Sequence, residues 1–379
     1  MGRSLGLYLH IPFCAAKCAY CDFYSLPRSE EKMDAYVGAL CRHLRDFSPR
    51  AAGYTVDTVY FGGGTPSYLG AERLTAVLDT VKSSYRMAQD AEITLEANPD
   101  SACDGLSALR SAGFNRISLG VQSTDDHMLR RIGRIHTWAQ VRQAVDAIRA
   151  AGFDNLSLDL IYGLPEQTMA QWQKTLSDAV ALAPDHVSAY GLKLEPGTPL
   201  YRLRDSLTFP DDDQQAEMYL WAVTFLAKNG YKCYEISNFA RPGRASRHNL
   251  RYWHLAEYAG FGPGAHSDFG GVRYAWSRDL DGYIAGEMTL SEETRITPAE
   301  RAREYVMLGL RTAEGLSPHI LEARYGVPFA PLEKLFRTYE AHGLAEPAED
   351  GWRLTPRGFL VSNAIIGELL DTMGGEEPV

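Results

Sequence analysis

The first two-thirds of the chain alternate between short β-rich runs and longer stretches with the period of an amphipathic helix. Alternation of this kind is typical of parallel strands joined by right-handed crossover helices. The predicted strands are Leu7–Ile11, Thr58–Phe61, Glu92–Glu96, Arg116–Val121, Leu156–Ile161 and Val187–Leu192. The predicted helices between them are Glu31–Phe47, Ala71–Tyr85, Gly105–Ala112, Trp138–Ala150 and Gln171–Leu182. Six such units predict most of an α/β barrel, with an open twisted sheet as the alternative.

The polar and glycine-rich residues of this region fall directly after the predicted strands. They are Cys14–Cys21, Gly62–Pro66, Asn98-Pro99, Gln122 and Tyr162–Pro165. In parallel α/β folds, the loops that follow the carboxyl ends of the strands carry the chemistry. This placement favours a partial (β/α)6 TIM-like barrel and predicts a functional site at that rim.

The pattern changes in the last third of the chain. A helix at Gln214–Asn229 and a strand at Tyr231–Ile236 precede an aromatic, glycine-rich stretch that we predict to be irregular. Beyond it, three helical patterns, a hairpin-like stretch and a final helix predict a small winged-helix-like α+β domain. Their bounds are Pro298–Thr312, Pro318–Tyr325, Phe329–His342, Leu344–Leu354 and Pro356–Leu370. The predicted parts are a barrel at 1–236, a connecting region at 237–296 and a C-terminal domain at 297–379.

Composition limits the classes of partner. The chain has 38 Lys and Arg against 48 Asp and Glu, a net charge of −10, so we expect no nucleic-acid partner. No apolar run approaches the roughly 18 residues of a membrane span, and the N-terminus does not have the pattern of a signal peptide. These observations predict a cytoplasmic protein without an integral membrane segment.

Three of the six cysteines, Cys14, Cys18 and Cys21, form a CxxxCxxC pattern directly after the first strand. Thiolates are the usual ligands of iron–sulfur clusters. Three of them can hold three irons of a 4Fe–4S cluster and leave the fourth iron open to a small molecule. There are two alternatives. One is a zinc site that His10 completes, and the other is that the three cysteines are buried structural thiols. The remaining cysteines are expected to be buried and inert: Cys41, Cys103 and Cys233.

Glycines and charged residues follow the next strands. Gly62–Gly64 lack Cβ atoms, so the backbone there can approach a ligand closely. Glu96, Gln122, Arg134 and Asp159 are placed at the same predicted rim. Each alone allows a simpler interpretation: the carboxylates could cap helices or form ion pairs, and the arginine could be a solvated charge.

The cysteine spacing together with Gly62–Pro66 resembles the radical S-adenosylmethionine (radical SAM) superfamily. The resemblance implies a 4Fe–4S cluster whose open iron binds SAM, and which, when reduced, cleaves SAM to a 5′-deoxyadenosyl radical. It implies cluster ligation by Cys14, Cys18 and Cys21. The SAM contacts that it implies are Tyr8, Gly63, Gly64, Thr65, Glu96, Gln122, Arg134 and Asp159.

The segments Tyr8–Cys14 and Asp159–Pro165 resemble the porphyrin-linked branch of that superfamily, which contains the oxygen-independent coproporphyrinogen III oxidases (HemN) and the haem chaperones (HemW). The oxidases have a CxxxCxxCxC loop, but here Phe23 takes the place of the last cysteine. They also carry a long N-terminal extension, whereas only thirteen residues precede Cys14. The segment His248–Trp253 resembles the HNxxYW motif of the chaperones.

This resemblance implies that His248 binds haem. A neutral imidazole is a common axial ligand of haem iron, and Tyr252 and Trp253 offer flat apolar faces to a porphyrin. The cations that could pair with haem propionates are Arg241, Arg244, Arg247 and Arg251. A packed loop histidine is the alternative interpretation of His248, and His254 is a nearby competitor.

The sequence therefore predicts a radical SAM haem chaperone that carries a 4Fe–4S cluster, SAM and haem and passes haem to an acceptor protein. The chaperones of this family are associated with membrane-bound respiratory acceptors, which allows a transient encounter at a membrane. The leading alternative is an oxygen-independent coproporphyrinogen III oxidase of porphyrin biosynthesis. The remaining alternative is a radical SAM protein that modifies nucleic acid. Only the predicted winged-helix-like domain favours it.

Overall fold

The computed structural model describes residues 2–102 and 105–374. The chain divides into two units whose segments interleave. The first unit contains residues 1–218 and 257–294, and the second contains residues 219–256 and 295–379. The three predicted parts follow one another along the chain and do not correspond one to one with these two units. The three-part division stays a prediction.

Sixteen strands and fifteen α-helices are assigned in the described residues. The strands are β1 (Arg3–Ile11), β2 (Phe13–Cys14), β3 (Leu26–Pro27), β4 (Tyr54–Gly63), β5 (Met87–Ala97), β6 (Arg116–Gln122), β7 (Leu156–Tyr162), β8 (His186–Gly191), β9 (Lys232–Glu235), β10 (Asn238–Ala240), β11 (Tyr258–Phe261), β12 (His266–Phe269), β13 (Val272–Trp276), β14 (Leu290–Arg295), β15 (Ala345–Ala348) and β16 (Gly351–Leu354). The helices are α1 (Met33–Phe47), α2 (Ala71–Ser84), α3 (Leu106–Ala112), α4 (Asp126–Arg131), α5 (Trp138–Ala150), α6 (Met169–Ala181), α7 (Pro199–Arg202), α8 (Asp212–Lys228), α9 (Arg247–Trp253), α10 (Leu280–Ala285), α11 (Pro298–Gly309), α12 (Pro318–Tyr325), α13 (Ala330–Ala341), α14 (Pro356–Leu360) and α15 (Ser362–Thr372).

Six parallel strands form the framework of the first unit, in the order β1-β4-β5-β6-β7-β8. These are the six strands that the sequence predicts, and helices connect them in sequence. Two of the connecting helices begin at capping boxes that the sequence supplies. Thr137 and Gln140 form a capping box at the start of α5, and Thr168 and Gln171 form another at the start of α6. The predicted (β/α)6 arrangement is confirmed.

The alternation of side chains along β1 separates the core from the site. Leu5, Leu7 and Leu9 have no exposed surface and lie on one face of the strand. Tyr8 and His10 lie on the opposite face, towards the residues that end β4. The strand therefore fixes the hydrophobic core and presents two polar aromatic side chains immediately before the cysteine loop.

The stretch predicted to be irregular is mostly regular, so that prediction was wrong. β11 pairs in parallel with β1, and β12 and β13 continue the sheet as antiparallel strands. The strands are only four or five residues long, which is too short for an alternating pattern to stand out. Gly260 is required in this packing, because a Cβ there would lie 2.1 Å from the carbonyl oxygen of His266. The short helix α4 was also not predicted from the sequence.

The second unit contains the β9–β10 hairpin, α9 and the C-terminal elements. The hairpin is joined to the end of α11 by a bridge between Glu235 and Thr312. Three helices, α11 to α13, precede the antiparallel β15–β16 hairpin, which is the order of a winged-helix-like domain as predicted. The predicted final helix is broken at Val361, whose φ of −116° is not helical. In the described part of the chain, no helix has both the length and the hydropathy to cross a membrane.

Candidate functional site

The cysteine loop is held at both ends by backbone pairing. Cys14 lies on β2, which pairs in parallel with β3, so the chain returns to its starting point after the loop. The Cys21 N–H donates a hydrogen bond to the Cys18 carbonyl over 3.3 Å, and the Ala19 N–H donates to the Ile132 carbonyl over 2.9 Å. Cys14 is buried, and Cys18 and Cys21 are half-buried. The loop is thereby fixed against the segment that follows α4.

The three thiols lie close enough to affect one another electrostatically. Burial raises the pKa of Cys14, and a charge on Cys18 raises it further. Burial raises the pKa of Cys21 to about 11, with smaller contributions from Cys18 and Cys14. Thiolates at Cys14 and Cys21 are therefore disfavoured unless a positive centre is bound, and a coordinated metal supplies one. In residues 2–102 and 105–374, no group of three or more His, Cys, Asp or Glu side chains is arranged to hold a metal ion.

The glycine loop packs directly on the cysteine loop. The Gly64 N–H donates to the Ile11 carbonyl and the Thr65 N–H donates to the Phe13 carbonyl, each over 2.8 Å. The Thr65 hydroxyl lies 3.5 Å from Cys14 Sγ. A Cβ at Gly64 would lie 2.7 Å from the Phe13 carbonyl and 3.0 Å from Cys14 Sγ. Glycine at this position therefore allows the two loops to touch.

Glu96, near the end of β5, has a half-buried carboxylate that accepts hydrogen bonds from two donors. The Tyr60 hydroxyl donates to it over 2.7 Å and the Gly63 N–H over 3.2 Å. Burial raises the pKa of Glu96 to about 7; the two hydrogen bonds oppose this increase and the charge of Asp159 adds to it. The carboxyl group is thus poised to gain or lose a proton near neutrality.

Arg134 connects three parts of the site. Its Nη1 lies 3.4 Å from Cys18 Sγ, and its Nη2 donates to Asn98 Oδ1 over 2.7 Å and to the Gly120 carbonyl over 2.5 Å. Asn98 in turn donates to the Thr65 hydroxyl over 3.0 Å. The Arg134 side chain is buried, and its Nε has no hydrogen-bond partner in the described ranges. The alternative of a solvated surface arginine was wrong.

Gln122 and Asp159 complete the predicted set in this unit. Gln122 ends β6 with a φ of +63°, a left-handed conformation that is uncommon for glutamine. The Asp159 carboxylate accepts hydrogen bonds from three serine hydroxyls on neighbouring positions of the sheet: Ser118, Ser157 and Ser188. Asp159 is therefore fixed in place by the strands on both sides of β7. Neither Asp159 nor Glu96 caps a helix.

The structure adds two residues whose roles the sequence did not predict. Asn98 follows β5, and its position after a strand was the available signal. His10 lies between the Tyr8 hydroxyl, 3.1 Å from Nδ1, and the Tyr24 carbonyl, 2.8 Å from Nε2. Burial lowers the pKa of His10 to about 4, so its ring is neutral. Both ring nitrogens face these oxygens, not the thiols, and a Cβ at Gly63 would lie 2.7 Å from the ring.

Contacts and charge interactions thus connect seven of the eight residues that the resemblance implies for SAM, and the eighth, Gln122, ends β6 in the same unit. His248 belongs to the second unit. It lies on α9, is buried, and its Nε2 is 2.9 Å from the Tyr252 hydroxyl. His254 follows α9, is exposed and lies 2.9 Å from a Glu314 carboxylate oxygen.

The nearby aromatic and cationic side chains are also placed in the second unit. Tyr252 and Trp253 are half-buried, and Arg251 is buried. The Arg241 guanidinium lies over the Tyr231 ring, 4.9 Å from its centre. Arg244 and Arg247 are half-buried.

Two of the other three cysteines have hydrogen-bond partners of their own. Cys41 is buried and its sulfur accepts a hydrogen bond from Thr80 over 3.3 Å. Cys233 donates to the Glu235 carbonyl over 3.1 Å, and burial raises the pKa of its thiol to about 12. Cys41 is therefore packed in the core as predicted. Cys233 is half-buried, not fully buried as predicted, and its thiol is protonated at neutral pH. Cys103 lies outside the described residues.

Comparison with known proteins agrees with these features. Residues 8–179 match the model of the Radical SAM superfamily, and residues 296–361 match the model of the HemN C-terminal domain. Proteins named "Heme chaperone HemW" from Bacillus subtilis (strain 168) and Escherichia coli (strain K12) are 35% and 34% identical to the chain over 372 and 369 residues. Each alignment covers 96% of this chain, and they cover 98% and 97% of the two relatives.

One solved structure resembles the whole chain. Coproporphyrinogen III oxidase (HemN) from Escherichia coli, which is described as a Radical SAM enzyme, superposes with a TM-score of 0.83 at 25% identity. The superposition covers 98% of this chain and 90% of that protein. It confirms the predicted TIM-like radical SAM barrel with a C-terminal domain.

Proposed function

The chain belongs to the HemW family of the radical SAM superfamily, and on this basis we propose that it is a haem chaperone that binds a 4Fe–4S cluster, SAM and haem. The observation that carries the proposal is the identity of about one-third to named haem chaperones over nearly the full length of both chains. We propose that it passes haem to an acceptor protein, such as a membrane-bound respiratory enzyme. A cytoplasmic location and a part in porphyrin metabolism stay predictions.

Cys14, Cys18 and Cys21 would hold the cluster. Their chemistry fits this role, because three thiols are grouped in one loop that can supply ligands to iron. The reduced cluster, when bound, supplies an electron for cleavage of SAM. Arg134 would restrain the loop by its contact with Cys18 and would add a positive charge beside the sulfur.

We propose that the SAM contacts are those that the resemblance implies. The lack of a Cβ atom lets Gly64 lie against Phe13 and Cys14 of the cysteine loop and lets Gly63 lie against the His10 ring. Glu96 has a half-buried carboxylate near the Gly63 backbone and is suited to accept hydrogen bonds from an ammonium group. The full set is Tyr8, Gly63, Gly64, Thr65, Glu96, Gln122, Arg134 and Asp159.

We propose that haem binds through His248, with the arginines before and within α9 as partners for its propionates. In the structure, His248 Nε2 lies against the Tyr252 hydroxyl. Ligation of iron by this nitrogen therefore requires the hydroxyl to move away. The Tyr252 and Trp253 rings follow on the same short helix and would supply apolar contact to the porphyrin.

An experiment on reconstituted protein tests these assignments. Protein loaded with iron and sulfide under anoxia would be titrated with haem, and the Soret band recorded for the native chain, His248→Ala and the matched control His254→Ala. We expect a loss of the native Soret band in His248→Ala and no loss in the control, because only His248 belongs to the proposed site. An unchanged Soret band in His248→Ala would remove this residue from the haem site. A preparation without iron-linked visible absorption would refute the cluster.

Oxygen-independent coproporphyrinogen III oxidase is the second candidate, and the likeness to HemN favours it. Phe23, which takes the place of the additional cysteine of that family, weighs against it, and its side chain is 65% exposed beside the cysteine loop. Incubation with coproporphyrinogen III, SAM and a strong reductant under anoxia separates the two functions. Formation of protoporphyrinogen IX would contradict the chaperone-only proposal. Detection of 5′-deoxyadenosine with and without haem would show whether SAM is cleaved.

A further inference from the structure

Strand β14 lies at the end of the sheet and is fully exposed. Strands β11, β12 and β13 separate it from β1, so the edge lies apart from the cysteine loop in the order of the sheet. Every residue of Leu290–Arg295 is exposed. An edge strand carries a row of backbone donors and acceptors that another extended chain can pair with. In the part of the chain that the structure describes, β13 is the only strand paired with β14.

The contacts with β13 show which backbone groups of β14 face outward. The Ser277 N–H donates to the Thr289 carbonyl over 2.9 Å, and the Ser291 hydroxyl reaches the Ala275 carbonyl over 3.3 Å. The two segments are therefore antiparallel, and every second residue from Thr289 onward directs its backbone groups to β13. Leu290, Glu292 and Thr294 consequently direct their N–H and C=O groups away from the sheet.

A small, shallow cavity opens to solvent where the chain enters β14. Trp276, Tyr283 and Met288 supply apolar wall, and Asp279 and Glu287 supply carboxylates. One Asp279 oxygen caps α10 and the Glu287 side chain is exposed. A lysine or arginine side chain matches this lining, because its aliphatic stem can lie on the aromatic wall while its cationic end meets the carboxylates.

The charges of β14 select the kind of strand that can pair there. Glu292 and Glu293 are adjacent and exposed. A second copy paired antiparallel at this edge would bring the same glutamates close to each other, and like charges on opposing strands are destabilising. A strand with lysines or arginines at alternate positions would instead place opposite charges across the pair.

We propose that β14 and the cavity together form a docking surface for an extended, lysine- or arginine-rich segment of a partner protein. The segment adds to β14 as an additional strand and places the cationic end of one basic side chain at the mouth of the cavity, beside Trp276 and the two carboxylates. Backbone pairing supplies the affinity, and the cavity and Glu292 supply the preference for a basic sequence. This inference does not depend on the haem-binding proposal.

The test uses the full chain and a short synthetic peptide in which lysine and valine alternate, labelled for fluorescence anisotropy. The same peptide with N-methyl groups on every amide keeps its charge but cannot donate backbone hydrogen bonds along either edge. We expect saturable binding of the first peptide and a Kd at least about tenfold higher for the methylated one. Equal binding of both would show simple charge attraction and would overturn the proposal.

Variants locate the surface. We expect Leu290→Pro, which removes an outward N–H, and Glu287→Lys, which reverses a charge in the cavity, each to raise the Kd about tenfold. Leu290→Ala, which keeps the N–H, and Glu340→Lys, which makes the same charge change on α13, should bind like the native chain. Matching unfolding midpoints would establish that the proline variant is folded. Native affinity in both Leu290→Pro and Glu287→Lys would overturn the proposal, as would dimerisation of the peptide-free chain through β14.

Discussion

The guanidinium of Arg134 lies 3.4 Å from the sulfur of Cys18, although 116 residues separate the two in sequence. The same side chain donates to Asn98, just after β5, and to the Gly120 carbonyl in β6. One buried cation therefore restrains the cysteine loop relative to two strands of the barrel. Lysine cannot reproduce this, because its single ammonium group lacks the planar fork that reaches three acceptors at once.

We expect Arg134→Lys to weaken SAM binding by about tenfold or more, because charge-assisted hydrogen bonds contribute about 1.5–3 kcal/mol each. Isothermal titration calorimetry of the reconstituted protein measures the affinity, and iron content per chain measures cluster retention. Arg130→Lys, an exposed arginine on α4, is the matched control and should change neither quantity. Native SAM affinity in Arg134→Lys would remove the guanidinium from the binding site.

Gly64 should not tolerate a methyl group. We expect Gly64→Ala to lower the iron content and to destabilise the fold by about 1–3 kcal/mol, because its Cβ would lie 2.7 Å from the Phe13 carbonyl and 3.0 Å from Cys14 Sγ. Gly53→Ala is the control, since nothing lies within 4 Å of a Cβ at that position. Iron analysis, visible absorption and urea unfolding test the pair of variants. An alanine variant with full iron content would mean that the two loops can separate without harm.

The parts of the fold that the sequence predicts are those with a local cause. The six parallel strands and their helices follow from hydrophobic period and capping residues, which act within a few positions of one another. The rim residues were predictable for a related reason. Glu96 and Gln122 stand at or near the ends of strands, and in a parallel sheet such positions converge even when they are far apart in sequence.

The parts that could not be predicted depend on long-range pairing. Four residues of β11 pair with β1 about 250 positions earlier, and no local pattern encodes that partner. His10 is a related case. Its contacts with Tyr8 and Tyr24 exist only after β1 and the return from the cysteine loop are in place. The sequence shows that His10 is close to the three cysteines along the chain. It does not show that the His10 ring nitrogens face Tyr8 and Tyr24 and not the thiols, because the fold determines that orientation.

Glu96 should make stability depend on pH. Its pKa of about 7 in the fold exceeds the ordinary 4.5, so the folded state holds a proton that the unfolded state has already released between these values. Stability attributable to Glu96 therefore falls as the pH rises from 4.5 to about 7 and is constant above that range. The difference corresponds to about 3 kcal/mol.

The variant Glu96→Gln removes this dependence. We expect the free energy of unfolding of the variant minus that of the native chain to rise by about 3 kcal/mol between about pH 5 and pH 8. Urea unfolding across that range measures the difference. Burial also raises the pKa of Glu235 to about 7. Because Glu235 is present in both proteins, its contribution cancels in the difference. Glu72→Gln, an exposed glutamate on α2, should leave the pH profile unchanged. A flat difference for Glu96→Gln would mean that the carboxyl group is ionised at all these pH values.

The pair of His248 and Tyr252 gives opposite expectations for two substitutions on one helix. The Tyr252 hydroxyl lies 2.9 Å from His248 Nε2, so iron that binds this nitrogen must displace it. Such a hydrogen bond contributes about 1 kcal/mol, and we expect Tyr252→Phe to bind haem about fivefold more tightly than the native chain. His248→Ala should bind more weakly. Haem titration followed at the Soret band compares them, with Tyr201→Phe in the first unit as the control. Weaker haem binding by Tyr252→Phe would contradict this expectation. It would show that the Tyr252 hydroxyl itself contacts haem and that haem binding does not require the hydrogen bond between His248 and Tyr252 to break.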